Sequence, residues 1–375
     1  PRSIFSLLYS IGTLTSAILL IPLGRVIDRW GTRASLLAAG VATAAALLFA
    51  STMRAPIAVL IGFAFLRTAG AGLLPLAART LVPFWFVQRR GRAFSLLGLA
   101  STLSVASIPA LGAYLIVKMG WREAWRWEAL AIALTLVPAI WFVVRDRPED
   151  VGQRADGELP SPESYPAGPP LDWGPTLKEA MHSPIFWAMV VAGAVPALVL
   201  TGVSFNQVSL FEERGMGPAL AAATFTVESM VALPMALFAG WLVDRTPPRY
   251  AIAVSEVLFT VTLGWLLFAT TPVSALTYAA WRGADVGLWM VAMDVSWPLI
   301  FGRRHLGAIR GFGNSTAIAA AALGPLPIGF SHDLFGSYSH AIVVLAILPL
   351  IPAVWILIAR RPARFAPEEL DAQLA

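Results

Sequence analysis

The sequence predicts an all-α membrane protein made of two pseudo-symmetric helical bundles, and three observations predict it. Hydrophobic residues make up 57% of the 375-residue chain and charged residues 13%, against roughly 45–50% and 25% in soluble domains. Apolar runs of 20 residues or more occur at 4–24, 34–53, 56–82, 93–117, 125–144, 184–211, 217–241, 250–270, 272–301, 308–331 and 339–359. Each is long enough for a spanning helix, which needs about 20 mostly apolar residues, so eleven spans are expected. None shows the alternation over about ten residues that marks a membrane barrel strand. Finally, a charged turn recurs: Gly24, Asp28, Arg29 and Arg33 are matched by Gly240, Asp244, Arg245 and Arg249, each pair 216 apart (240 − 24). One fixed offset points to two copies of one bundle.

Taken in order, the first run ends in the charged stretch Gly24–Arg33, expected to be a ten-residue hinge before the run 34–53. The run 56–82 carries Arg67 and the pair Gly70 and Gly72, which are expected to let helices approach closely. The basic loop Trp85–Ala93 precedes the run 93–117, whose Pro109 matches Pro325 at the offset of 216. After 125–144 comes Arg145–Ser183, too polar to span and dense in Pro, Gly, Asp and Glu. It reads as a linker, with a short surface helix starting at the capping-box spacing Thr176–Glu179. Pro184 opens the next span. Arg67, Gly72, Phe86 and Arg89 match Arg282, Gly287, Phe301 and Arg304 at 215, the one-residue drift of a loop insertion. Four segments follow: an N-terminal half at 1–145, the linker at 146–183, a C-terminal half at 184–360 and a polar tail at 361–375. Subtracting 216 from Pro184 reaches a point before Pro1, so the first half is expected to lack its opening helix in this chain, which starts without Met.

The net charge of +5 raises nucleic acid as a partner, but its distribution sets topology instead. With the Asp28 turn taken as cytoplasmic, that side carries roughly three times as many Lys and Arg as the other, in line with the positive-inside rule. The linker and C-terminus then lie in the cytoplasm. The chain has no cysteine, which removes disulfide and thiol chemistry.

These residues resemble the major facilitator superfamily. The pattern Gly24-x-x-x-Asp28-Arg29-x-Gly31-x-Arg33 is similar to its signature between the second and third helices, and Asp244-Arg245 to the degenerate copy between the eighth and ninth. The Trp85–Ala93 loop resembles that between helices four and five. Gly120-Trp121-Arg122, Arg147–Gly152 and Phe301–Gly307 are similar to the monocarboxylate and oxalate–formate branch. The resemblance implies the major facilitator fold with 11 of its 12 helices present, in the cell (inner or plasma) membrane. It departs from the branch in two ways: the eighth helix carries Glu228 where oxalate exchangers use a basic residue, and the eleventh has no Lys or Arg past Arg310 at its start. The drug-antiporter pattern of helix five is absent, the chain reading Ile108-Pro109-Ala110-Leu111-Gly112.

Ionisable groups inside spans are costly and mark cavities or partners. Arg67, Glu228, Arg282 and Asp285 lie ten to thirteen residues into their spans, roughly 15–20 Å from one surface. The resemblance implies that the spans of Arg67, of Asn206 and Gln207, and of Arg282 and Asp285 line a central cavity, so these five are the substrate-binding candidates. Arg282 and Asp285 are three apart and share a helical face, which suits a structural pair equally well. Glu228 and Asp285 are the proton-coupling candidates, and Glu228, on a helix that the resemblance implies lies between the halves, suits a purely structural role holding them together as well. Gly24, Asp28, Arg29, Gly31, Arg33, Asp244 and Arg245 form the expected cytoplasmic gate, where a carboxylate meets a basic side chain or a helix N-terminus. Structural pairing is expected for Arg79, Glu256 and Asp294. Trp281, Trp289 and Trp297 recur every eight residues and suit a cavity or lipid packing. No metal cluster and no nucleophile–base pair is seen, so no cofactor, metal or enzyme activity is expected.

The expectation is a monomeric secondary active transporter of a small solute, an organic anion such as a monocarboxylate, because Arg67 and Arg282 offer cations at mid-membrane. The alternatives are a proton-coupled exporter of amphipathic or cationic compounds and a non-transporting sensor on the same fold.

Overall fold

The computed structural model describes residues 2–157, 173–360 and 362. The linker interior at 158–172 and nearly all of the polar tail expected at 361–375 lie outside the described residues.

The described chain is helical, with no strand among the described residues. Long helices run as α1 (Arg2–Trp30), α2 (Thr32–Ser51), α3 (Pro56–Trp85), α4 (Arg90–Met119) and α5 (Trp121–Val143). A short α6 (Leu177–Met181) follows, where the sequence predicted a surface helix. Then come α7 (Pro184–Glu213), α8 (Pro218–Val243), α9 (Pro248–Leu267), α10 (Pro272–Phe301), α11 (Leu306–Phe335) and α12 (Ser339–Ile358). Ten of the long helices are apolar enough over their described residues to cross a membrane, and α4 is the eleventh helix of spanning length. Five of them start on proline, whose fixed φ suits the first helical position and whose missing N–H is not needed there.

The charged stretch 24–33 departs from expectation. It was read as a hinge, yet α1 continues through it to Trp30. No breaker lies between Gly24 and Trp30, and Ile27 on that turn is buried, so apolar burial carries the helix past the charges. The break is confined to Gly31 at φ +84, a left-handed conformation that glycine adopts without steric cost. Two helices contain π-helical turns, Arg67–Leu73 in α3 and Ile132–Leu136 in α5.

The described chain forms two compact units. The first comprises Pro1–Gln88, Leu103–Leu177 and Phe301–Ser315; the second comprises Arg89–Thr102, Lys178–Ile300 and Thr316–Ala375. In the first unit α2 buries a row of small residues (Ala39, Gly40, Thr43, Ala46, Ala50), which permits close helix packing where no hydrophobic drive exists between helices in lipid. In the second unit α7, α9, α10 and α12 share a core that includes Val203, Phe211, Phe259, Leu263, Tyr278 and Ile342. Large apolar side chains stay exposed elsewhere, among them Phe142, Phe205 and Phe268, the expected surface for a lipid solvent.

Candidate functional site

The repeated turn is a matched pair of helix caps. In the first unit, Asp28 at the end of α1 accepts the backbone N–H of Gly307 (2.7 Å) and Ala308 (2.8 Å) at the start of α11. In the second unit, Asp244 after α8 accepts the N–H of Gly91 (2.6 Å) and Arg92 (3.3 Å) at the start of α4. The acceptors are 216 apart, and so are the donors (307 − 91). A helix start presents unpaired N–H groups and the positive end of its dipole, so a carboxylate is favoured there. Glycine makes the approach possible: a Cβ on Gly24 would strike the backbone of Gly307, and one on Gly91 the backbone of Gly240. Asp244 lies just beyond its span. Burial raises its carboxyl above the usual aspartate range, while the Gly91 and Arg92 N–H groups and the neighbouring arginines oppose that rise. Of the other gate candidates, Arg33 donates to Trp141 O (2.8 Å) and Arg245 to Trp241 O (3.1 Å), while Arg29 is exposed.

The second site is a polar cluster inside the second unit. Arg282, 4% exposed, donates through Nη1 to Gln207 Oε1 (2.8 Å) and Tyr278 OH (3.1 Å) and through Nη2 to the Ser204 hydroxyl. Its Nε lies 3.3 Å from Glu228 Oε1. Gln207 in turn donates to Thr224 Oγ1 (2.5 Å). Two glycines set this geometry, because Cβ atoms on Gly283 and Gly287 would meet the backbone of α8 at Glu228 and Ala232. The close α8–α10 approach brings Glu228 to the guanidinium. The ion pair therefore joins Arg282 to Glu228 and not to Asp285, the partner one turn along that its helical face offered as one of two readings. Asp285 is 3% exposed and its Oδ1 has no partner.

The remaining candidates disperse. Arg67, in the first unit, is half-buried and opens the π-helical turn of α3, a feature frequent at functional positions. Asn206 donates to Gly202 O on its own helix (2.9 Å), away from the cluster that holds Gln207. Glu256, expected in a structural pair, is fully buried with both carboxyl oxygens unpartnered. No donor among the described residues reaches either oxygen, which the sequence alone did not reveal. The tryptophans do not share one environment: Trp281 is exposed, Trp289 donates to Ala192 O (2.9 Å) and Trp297 is buried. Eight residues advance the helical face by about 80° at 3.6 residues per turn. Sequence reasoning missed Ser204, Thr224 and Tyr278. The spacings Ser204–Gln207 and Tyr278–Arg282 place each pair on one helical face and could have flagged them.

The sequence profile described as Major Facilitator Superfamily matches residues 1–325. The chain belongs to the major facilitator superfamily. It is accordingly a multi-pass membrane protein and a secondary transporter of small molecules, with no enzymatic role. A Streptomyces lividans protein named "Chloramphenicol resistance protein" is 29% identical over 285 residues, covering 73% of this chain and 67% of that protein. Among solved structures, the human organic anion transporter MFSD10 (TETRAN) superposes with TM-score 0.73 at 15% identity, over 93% of this chain and 83% of that one. The E. coli fucose:proton symporter FucP gives 0.71 at 15% identity, over 96% and 94%. The proton:xylose symporter XylE gives 0.69 at 14%, over 97% and 88%. At these identities the structural likeness establishes the superfamily fold alone.

A feature of this superfamily member that the sequence did not announce is how its linker is held in the first unit. Asp146 accepts the Thr32 hydroxyl (2.7 Å) and the Arg33 N–H (2.8 Å), capping α2 from 113 residues away. Asp156 accepts the N–H groups of Val87 and Gln88. The Trp173 carbonyl accepts those of Arg303 and Arg304. Thr32 and Asp146 of the first strap, with Arg303 and Arg304 of the last, also line a cavity of about 270 Å³ that includes Asp28, Thr80, Phe84 and Arg147.

Proposed function

We propose that this superfamily member moves a small organic anion, such as a monocarboxylate, coupled to protons, with halves 1–145 and 184–360 alternating access. The reading extends to a monomer in the cell membrane, with linker and C-terminus cytoplasmic, in or near the monocarboxylate and oxalate–formate branch. The observation that carries it is the Arg282–Glu228 pair inside its frame of Gln207, Ser204 and Tyr278. A buried pair is costly to break by removing one partner, about 3–5 kcal/mol, because a bare charge is left. A proton on Glu228 together with a substrate carboxylate on Arg282 breaks the pair without leaving either charge bare. Guanidinium suits this exchange, since it grips a carboxylate through parallel N–H bonds. Arg67 is a second candidate contact on α3; Asp285 lies one turn from Arg282.

The test is uptake into proteoliposomes of labelled carboxylates and, separately, of neutral amphipathic compounds, with and without an inward proton gradient. Gradient-stimulated carboxylate uptake that Arg282→Ala abolishes supports the reading; transport of the neutral panel alone overturns it. The second reading, a proton-coupled exporter of amphipathic compounds, draws support from the chloramphenicol-resistance relative and from the neutral net charge of the Arg282–Glu228 pair.

A further inference from the structure

In the second unit, α9 and α10 enclose a narrow cleft lined by Ser255, Glu256, Asp285, Trp289, Pro196 and Leu200. It leaves no room for a water molecule. Glu256 is fully buried, and neither of its carboxyl oxygens has a partner among the described residues. The Oδ1 of Asp285, lining the same cleft, has none either. The nearby donors are spoken for: the Ser255 hydroxyl bonds Ile252 O, Trp289 Nε1 bonds Ala192 O, and the Arg282 guanidinium faces Gln207, Ser204, Tyr278 and Glu228.

We propose that Glu256 and Asp285 form a proton-binding site, in which Glu256 carries the proton and donates it as a hydrogen bond to Asp285. Two carboxylates lining one cleft without water or donors repel each other and lose their hydration. One proton removes a charge and supplies a donor where Glu256 Oε1 and Oε2 and Asp285 Oδ1 have none. A hydrated cation needs volume that this cleft lacks, whereas a proton needs none. The charged groups facing the site are few. Asp285, Arg282 and Tyr278 come from α10 and Glu228 from α8; α7 carries acidic residues only at its far end (Glu212, Glu213), and α12 carries His340 at its first turn. Arg282 already pairs with Glu228, so one proton takes this group of three carboxylates and one guanidinium from a net charge of about −2 to about −1. The use of this proton in transport rests on the coupled-transport reading above; its presence does not.

The site is tested by infrared spectroscopy of the purified protein at neutral pH, in H₂O and D₂O, with no substrate present. The wild type should show the deuterium-sensitive carbonyl band of a protonated carboxylic acid. Glu256→Gln, isosteric and unable to titrate, should lose one such band, while Asp285→Asn should keep it at a shifted frequency. A wild-type spectrum with no difference from Glu256→Gln overturns the proposal. So does a band that sodium abolishes at constant pH, which assigns the cleft to a cation. Should Glu256→Gln fail to fold, a wild-type spectrum with no deuterium-sensitive carbonyl band of a protonated acid overturns it equally. Because no transport is measured, failure here and failure of the anion reading remain separate results.

Discussion

Replacing Asp28 by Asn tests whether the cap on α11 is a latch. Both carboxylate oxygens accept backbone N–H groups, at 2.7 and 2.8 Å. Asparagine keeps one acceptor but turns an amide N–H₂ toward the other backbone donor. The loss is one charge-assisted bond, about 1.5–3 kcal/mol, plus the charge–dipole attraction at a helix start, about 0.3–1 kcal/mol. The sum, about 2–4 kcal/mol, corresponds to a roughly 30- to 1,000-fold change in the closed-to-open ratio. The chain has no cysteine, so a single reporter can be placed without background. Thr80→Cys suits the purpose, because Thr80 is buried and lines the cavity beside Asp28. When opening is faster than modification, its labelling rate follows the open population. A folded Asp28→Asn protein that labels at the parent rate refutes the latch and leaves Asp28 a folding determinant only.

Four further outcomes follow from the same contacts. Arg67→Ala should weaken anion binding by about 2–4 kcal/mol, roughly 30- to 1,000-fold, with Arg67→Lys intermediate; equilibrium binding to the folded variant measures it. Glu228→Gln should abolish stimulation of uptake by a proton gradient while preserving exchange of substrate across the membrane, as read by counterflow. Gly24→Ala should lower thermal stability by about 1–3 kcal/mol through overpacking against Gly307. Asp146→Ala should cost about 1 kcal/mol, the worth of a helix cap, and speed amide hydrogen exchange at Arg33.

The helices were legible because their signal is long and redundant: twenty apolar residues cannot hide, and proline at Pro184 marked its helix start to the residue. The turn 24–33 was misread because charge density says nothing about whether backbone hydrogen bonds stop, and only Gly31 carries the break. The repeat identified Asp28 and Asp244 as equivalent, yet their partners are backbone N–H groups, which no side-chain pattern encodes. Arg282 and Glu228 were each visible as intramembrane charges. Their pairing was not, since it depends on Gly283 and Gly287 letting two helices approach, a consequence of helix order and packing. Glu256 was misjudged for the same reason: whether a buried carboxylate finds a donor is decided by neighbouring helices.

The strength of the two caps bears on how such a protein can switch. Moving a two-state balance from 1:99 to 99:1 requires about 5.5 kcal/mol of differential binding. On the alternating-access reading proposed above, a cap of about 2–4 kcal/mol would hold one state firmly and still yield once substrate and proton bound the other state more tightly. A side-chain ion pair buried at the same point would cost about 3–5 kcal/mol to part and would leave two bare charges. An aspartate on backbone N–H groups leaves only one side-chain charge, and it lies at a helix end that water can reach. The repeat thus doubles a contact whose energy suits reversal, at Asp28 with Gly307 and at Asp244 with Gly91. On the reading proposed above, the strong buried pair, Arg282 with Glu228, is the one whose partners substrate and proton would replace in turn.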